Sequence, residues 1–280
     1  MITILHVSDP HFGQSWDQNE KAKALLDAIH HDYPDRHLLV TGDFTESGEN
    51  KQYRLAGQAL SPFTGRVFVT PGNHDYGSIW TGYSPGKAKY FDDPFAKNLG
   101  FEHPFKDKKV FVMTLADQSD HSTLMMIGLN SCAKLGAFTA EGEVGHDQMD
   151  ELRRILDGAD AQVPKLLFLH HVPHKDMGPG MTLRDWEELM RVIKGKVDVL
   201  AFGHSGSVMK VEQRGKSIRL LPAPPRPMRA RRVVIGTKPV WVLDANSSVE
   251  EQACYVITSK DTKTTATVRR FGKRSVIRKR

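Results

Sequence analysis

The sequence predicts an α/β fold built from strand–helix–strand units, and two observations carry that expectation. Short apolar runs of three to six residues recur through residues 2–202. Between several of them lie segments whose apolar side chains return every three or four positions, the spacing of an amphipathic helix. Buried strands that alternate with such helices are parallel neighbours, because each return to the start of the sheet uses the helix as its crossover.

Taken in order, the first strand runs from Ile2 to Val7 and leads into Ser8-Asp9-Pro10-His11. Asp17 followed by Glu20 resembles a capping box, and Ala22, Leu25, Leu26 and Ile29 then share one helical face. Leu38 to Val40 is the second strand, ending in Thr41-Gly42-Asp43-Phe44-Thr45. Residues 50–60 read as a helix that packs through Tyr53, Ala56, Ala59 and Leu60. The third strand, Val67 to Val69, passes through Thr70-Pro71 into Gly72-Asn73-His74-Asp75. Residues 76–109 form an aromatic, Gly/Pro-rich insertion with Trp80, Tyr83, Tyr90, Phe91 and Phe95, expected to wall the site or to pack a satellite core.

Strands return at Val110–Leu115 and Leu124–Leu129, and a helix at 146–157 turns Met149, Leu152 and Leu156 inward. Lys165–Leu169 ends in His170-His171-Val172-Pro173-His174. Thr182 with Asp185 opens a helix whose buried face is Trp186, Leu189, Met190 and Ile193. Val197–Phe202 ends in Gly203-His204-Ser205-Gly206. Val208–Glu212 and Ser217–Leu221 read as a hairpin about Arg214-Gly215, and Val240–Leu243, Ala253–Thr258 and Thr264–Val268 as further antiparallel strands rich in Val and Thr. The expected division is a core over 1–222, carrying the insertion 76–109, and a β-rich extension over 223–280 packed on the core and ending in a basic tail. Pro-rich 222–227 marks the boundary.

With 39% apolar and 26% charged residues the chain has the composition of a soluble globule, and no apolar run approaches the roughly 20 residues a bilayer needs. The first strand begins at Ile2 without a basic leader, so a cytoplasmic location is expected. Cys132 and Cys254 sit in apolar surroundings without metal-type spacing, which fits reduced core thiols. The net charge is +6, yet residues 222–232 carry four basic and no acidic side chains and residues 269–280 seven and none. Taking those eleven away leaves the rest of the chain at −5. Basicity confined to two C-terminal segments fits a solvated tail or an arm that attracts nucleic acid.

Chemistry collects at the strand ends, where open α/β sheets bind ligands. Five of them carry Asp9/His11, Asp43, Asn73/His74/Asp75, His170/His171 and His204. A turn rich in Gly, Pro, Asn and Asp explains one such group on its own; five groups, each directly after an apolar run, point to metal binding. Carboxylate, imidazole and amide ligands without thiolates favour Mn, Fe, Zn or Co. More ligands are present than one ion needs, which suits two ions about 3.5–4 Å apart with a bridging carboxylate, the arrangement that polarises a phosphoryl oxygen and acidifies a bound water.

The order Asp-x-His, Gly-Asp, Gly-Asn-His-Asp, His and Gly-His, over residues 2–206, resembles the calcineurin-like metallophosphoesterase family. Tyr90-Phe91-Asp92-Asp93, Gly128-Leu129-Asn130-Ser131 and the helix near Gln148 are similar to its branch of cyclic-nucleotide and glycerophosphodiester phosphodiesterases. The resemblance implies a four-layer αββα sandwich. It assigns Asp9 and His11 to a first metal, Asp43 to a bridge between both ions, and Asn73, His170 and His204 to the second. His170 is favoured over His171 because it directly continues the strand. His74 would act on the leaving alkoxide or the phosphoryl charge, with Asp75 orienting its ring. His6 would be a core or supporting residue, and His174 a loop residue near the substrate.

The family usually closes with Gly-His-x-His, whereas Gly206 stands at the last position here. A weaker first ion, a ligand from elsewhere, or lost activity are the three consequences that follow, and Ser205 and Ser207 are poor substitutes for an imidazole. The expected activity is metal-dependent phosphodiester hydrolysis by in-line attack of metal-bound hydroxide on a small-molecule substrate. A nuclease of the same family and a non-catalytic phosphate-binding or docking module are the alternatives.

Overall fold

A computed structural model of the chain describes all residues except 79–81, 102–104, 106–109, 133–138, 175–180, 205–208, 215–216, 223–227, 236–237, 246–247 and 272–280, and side chains are not described at 85, 88, 92, 209–214 and 217–222. The expectations that rest on Trp80, Ser205, Gly206, Ser207 and most of the basic tail therefore lie outside the described residues.

The chain opens with β1 (Ile2–Val7), α1 (Trp16–Asp32), β2 (His37–Thr41), α2 (Asn50–Leu60) and β3 (Val67–Thr70). The insertion supplies the short pair β4 (Gly77–Ser78) and β5 (Gly82–Tyr83), then α3 (Pro85–Tyr90). There follow β6 (Phe111–Asp117), β7 (Ser122–Gly128), α4 (His146–Gly158), β8 (Lys165–Phe168), α5 (Trp186–Ile193) and β9 (Val199–Phe202). The C-terminal part holds β10 (Met209–Arg214), β11 (Ser217–Pro222), β12 (Arg231–Ile235), β13 (Lys238–Asp244), α6 (Ser248–Glu251), β14 (Ala253–Lys260) and β15 (Lys263–Arg270).

Two mixed sheets face each other, in the orders β15-β14-β1-β2-β3 and β12-β13-β9-β8-β7-β6. The alternation of side chains sorts the layers. In β8 and β9, Leu166, Phe168, Val199 and Ala201 face the first sheet, sharing one core with Ile4, Leu39, Tyr255 and the inner faces of α1 and α2. Leu167, Leu200 and Phe202 point the other way, into a second core closed by Met149, Leu152 and Leu156 of α4 and Leu189 and Ile193 of α5. The result is helices, sheet, sheet, helices, as the resemblance implied. Across the sheets, Ser259 Oγ donates to the Thr123 carbonyl at 3.1 Å and Thr70 Oγ1 to that of Leu129 at 2.8 Å.

Several local expectations change. Ser15, not the Asp17/Glu20 pair, caps α1, because its hydroxyl accepts from Gln18 N–H at 3.1 Å while Asp17 pairs with Lys21. Asp185 precedes α5 but directs its carboxylate to the N–H groups of Val144 and Gly145, tying α5 to the start of α4. In the insertion, Phe91, Phe95, Leu99, Phe101 and Phe105 extend the main core rather than forming a satellite, with Phe44 and Phe95 ring centroids 4.9 Å apart. The run at 240–243 belongs to β13, antiparallel to β12 but parallel to β9. Beyond residue 222, β14 lies between β15 and β1, and β13 between β12 and β9. Among the described residues no helix is long and apolar enough to cross a membrane.

Candidate metal centre

β1, β2 and β3 run parallel, as do β8 and β9, so their carboxyl ends reach one rim, where the two sheets meet. The backbone there departs from strand geometry in a concerted way. Asp9, His11, Asp43 and His204 all have positive φ, at 55°, 46°, 51° and 64°. Left-handed backbone costs a residue with a Cβ about 1–2 kcal/mol, and such strain persists where surrounding contacts fix it. The contacts are present: Asp9 N–H donates to the Gly42 carbonyl at 3.1 Å, His11 N–H to that of Asp43 at 3.0 Å, and His204 N–H to both Asp9 carboxylate oxygens at 3.3 Å. Two glycines allow the approach. A Cβ on Gly72 would lie 2.2 Å from Asp43 Oδ1, and one on Gly203 2.0 Å from Ser8 Oγ and 2.3 Å from Asp9 Oδ2.

Asp43 is the hub. His11, Asp43 and His74 form one group whose ligand atoms lie within 4.8 Å of one another, and Asp43, His170 and His204 form another. His170 Nε2 is 3.1 Å from Asn73 Oδ1, 3.1 Å from His204 Nδ1 and 3.4 Å from Asp43 Oδ2. His11 Nε2 is 3.7 Å from Asp43 Oδ2 and 4.0 Å from Asp9 Oδ1. Every residue assigned to a metal from the sequence thus meets at this rim.

The donor set fits divalent cations. His170 Nδ1–H donates to the Thr41 carbonyl at 2.8 Å, which turns the Nε2 lone pair toward an amide oxygen, a second imidazole nitrogen and a carboxylate. Asn73 is oriented in the same sense, its Nδ2 donating outward to Tyr83 Oη at 3.4 Å. Acceptors aimed at one another in a buried pocket require positive charge between them. Without a cation the rings are driven to supply it. Burial opposes charge on His11 and His170, yet the neighbouring carboxylates outweigh it and raise both to about 9. Asp43 is buried as well, but His170, His74 and His11 hold its carboxyl well below the usual range.

His74 stands at the edge of the cluster, its N–H donating to Asp43 Oδ1 at 2.8 Å and its ring edge-on to that of His11, with centroids 4.7 Å apart. One expected role changes hands. Asp75 does not orient this ring: its carboxylate accepts from the N–H groups of Gly72, Phe44 and Thr45 and from the Thr45 hydroxyl, and so stitches the turn after β3 to the turn after β2. The His74 Nδ1–H donates to the Glu46 carbonyl at 2.7 Å instead.

His171 packs its ring on that of His204, 4.3 Å between centroids, but both its nitrogens are engaged outside the cluster, Nε2–H donating to the Ala140 carbonyl at 3.0 Å and Nδ1 accepting from Ser131 Oγ at 2.8 Å. His6 is a core residue whose Nε2 lies 3.0 Å from Thr41 Oγ1 beneath the site, and burial pushes its pKa down to about 3. His174 is exposed, 6.2 Å from Trp186 between ring centroids. Asn130 and Gln148 are structural partners, linked by two hydrogen bonds of 2.9 and 2.8 Å. Both cysteines are free and buried, and burial raises both thiols.

Two contributors had no signal in the sequence. Ser248 in α6 accepts from Ser8 N–H at 3.2 Å and donates to the Ser8 carbonyl at 2.9 Å, pinning the residue before Asp9. Glu46, three residues past Asp43, places its Oε2 3.1 Å from His11 Nδ1.

Comparison with known proteins agrees with this geometry. The family model described as calcineurin-like phosphoesterase matches residues 2–207. A "Probable cyclic nucleotide phosphodiesterase" of Vesicomyosocius okutanii is 23% identical over 227 residues, 79% of this chain and 84% of the relative. One of the same description from Rhodopseudomonas palustris is 26% identical over 197 residues, 67% of this chain and 63% of the relative. Among solved structures, a purple acid phosphatase from yellow lupin seeds aligns with a TM-score of 0.58 at 13% identity, covering 96% of this chain and 51% of that one. GAP50, described as the anchor in the inner membrane complex of Plasmodium, aligns at 0.59 and 10% identity, covering 99% and 86%. These two likenesses speak for the fold. With the family match spanning the five strand ends that build the rim, the chain belongs to the calcineurin-like phosphoesterase family.

Proposed function

We propose that this protein is a divalent-metal-dependent phosphodiesterase acting on a small-molecule phosphodiester such as a cyclic nucleotide or a glycerophosphodiester. The observation that carries the reading is the pair of ligand groups sharing Asp43, His11–Asp43–His74 and Asp43–His170–His204, with Asp9 Oδ1 4.0 Å from His11 Nε2 beside the first and His74 kept free for the substrate. Asp9, His11 and Asp43 would hold one cation, and Asp43, Asn73, His170 and His204 the other. Bound there, two divalent cations supply positive charge for the phosphoryl oxygens and lower the pKa of water.

The chain's own groups do the rest. The His74 ring is held through Nδ1–H on the Glu46 carbonyl, so Nε2 is the atom that takes up a proton and passes it to the leaving alkoxide. Asp43 fixes the His74 backbone as well as bridging the two groups, so one carboxylate sets the spacing between charge stabilisation and proton transfer. Choice of a phosphodiester, and of a small one, rests on the names of the two sequence relatives and on the motif likeness to that branch.

The test is turnover of bis(p-nitrophenyl) phosphate with Mn²⁺, Fe²⁺, Co²⁺ or Zn²⁺, beside a panel of cyclic nucleotides, glycerophosphodiesters, single-stranded DNA and RNA. His74→Ala should lower kcat by about 10²–10⁴-fold, the usual worth of a positioned proton donor, while metal content stays the same. Preference for the polynucleotides would favour the nuclease alternative, which Arg231 and Arg232, exposed on β12, make worth including. Equal inertness of both proteins with every metal would leave a phosphate-docking module.

A further inference from the structure

On the reading proposed above, three protein ligands, Asp9, His11 and Asp43, hold the cation on the β1 side, against four for the other. What lies behind His11 bears on how such a site could hold its ion. His11 Nδ1 and Glu46 Oε2 are both buried atoms, and neither has a hydrogen-bond partner among the described residues. They lie 3.1 Å apart. The opposite ring nitrogen, Nε2, is the one that faces Asp43 and Asp9. The Glu46 backbone carbonyl meanwhile takes Nδ1–H of His74, whose ring packs edge-on against His11. One residue therefore touches two imidazoles from behind, by carboxylate and by carbonyl. The carboxylate is nearer His11, since it lies 3.9 Å from His74 Nδ1.

We propose that Glu46 is a positioning residue for His11: a small turn of its carboxylate, 3.1 Å away here, lets it accept Nδ1–H, hold the ring with the Nε2 lone pair turned into the cluster, and so set the affinity of the cation site formed by Asp9, His11 and Asp43, leaving the Asp43–Asn73–His170–His204 site unaffected. A carboxylate behind a metal-ligating imidazole fixes its tautomer and raises its donor strength, and losing one typically costs 10–100-fold in metal affinity. The inference rests on the metal-centre reading above and adds to it which of the two sites depends on an acidic side chain that itself binds no ion.

The experiment is a Mn²⁺ titration of the full chain by calorimetry, with Glu46→Gln and Glu46→Asp beside the unaltered protein, and with thermal unfolding of each in chelator as a check on folding. The unaltered protein should show two binding steps. Glu46→Gln should weaken one of them 10–100-fold and leave the other in place, and Glu46→Asp should restore part of the loss. Steps that are unchanged, or weakened alike, in Glu46→Gln would overturn the proposal while leaving the metal centre standing. Absence of any Mn²⁺ binding in the unaltered protein would overturn both. Nitrogen-15 spectra of the histidines, with His11→Asn used for assignment, give a readout that needs no Glu46 variant. They should find His11 protonated at Nδ1 in the metal-loaded protein, and protonation at Nε2 alone would end the idea even if Glu46→Gln fails to fold.

Discussion

His6 shows how a single side chain ties folding to the site above it. It is fully buried under Thr41 and stacked on Tyr255 at 5.8 Å, and its pKa falls from the ordinary 6.5 to about 3. The unfolded chain takes a proton there below pH 6.5 and the folded one does not. The neutral ring's contribution is therefore complete above 6.5 and declines as pH falls toward 3, by about 1.4 kcal/mol per pH unit. Urea unfolding of His6→Gln beside the unaltered protein tests this: the gap in stability between them should narrow by about 2 kcal/mol from pH 7 to pH 5, whereas parallel pH curves would refute it. Most of the rim was legible residue by residue, because Asp9, Asp43, Asn73, His170 and His204 each stand at or just past the end of an apolar run. The wrong assignment, Asp75 as partner of His74, failed because the backbone of the Gly72–Tyr76 turn aims that carboxylate at Phe44 and Thr45. Glu46 was illegible for a related reason. In Thr-Glu-Ser-Gly it reads as an ordinary polar turn residue, and its place behind His11 emerges only where the turns after β1 and β2 meet in the fold.

At the scale of elements, the strand ends act as rigid mounts whose separation is set by backbone packing. Gly203, after β9, is where the second sheet touches the end of β1. In Gly203→Ala the added methyl would overlap Ser8 Oγ and Asp9 Oδ2, and overpacking of this kind costs about 1–3 kcal/mol. Metal analysis should find less bound ion in this variant while circular dichroism keeps the α/β signature. Full metal occupancy would mean the two ends are less tightly matched than the contact implies. Helices were legible here to within a few residues, since α1, α2, α4 and α5 each bury one periodic face. Their caps were not. Asp185 looks like a helix cap in the sequence, yet its carboxylate serves Val144 and Gly145, some 40 positions earlier in the chain.

For the whole molecule, the part least visible in advance was the placement of the C-terminal strands. Val-rich runs announce strands but carry no address, and nothing in Ala253–Lys260 says that its neighbour is β1. The pairing runs from Ile2 opposite Ser259 to His6 opposite Tyr255, while Trp241 to Asp244 pair with Val199 to Phe202. A chain ending at residue 222 should therefore lose two strands from one end of each sheet, β14 and β15 beside β1 and β12 and β13 beside β9, together with the Ser248 clamp on Ser8. It should show no cooperative unfolding transition and no stoichiometric metal binding. A soluble 1–222 fragment that melts sharply would instead make 223–280 a separable extension. The same pairing dictates a timetable on the ribosome. β1 leaves the ribosome long before β14 does, so the nascent chain carries one side of β1 unmatched for more than two hundred residues, and the rim above it is braced only after Ala253–Lys260 has followed.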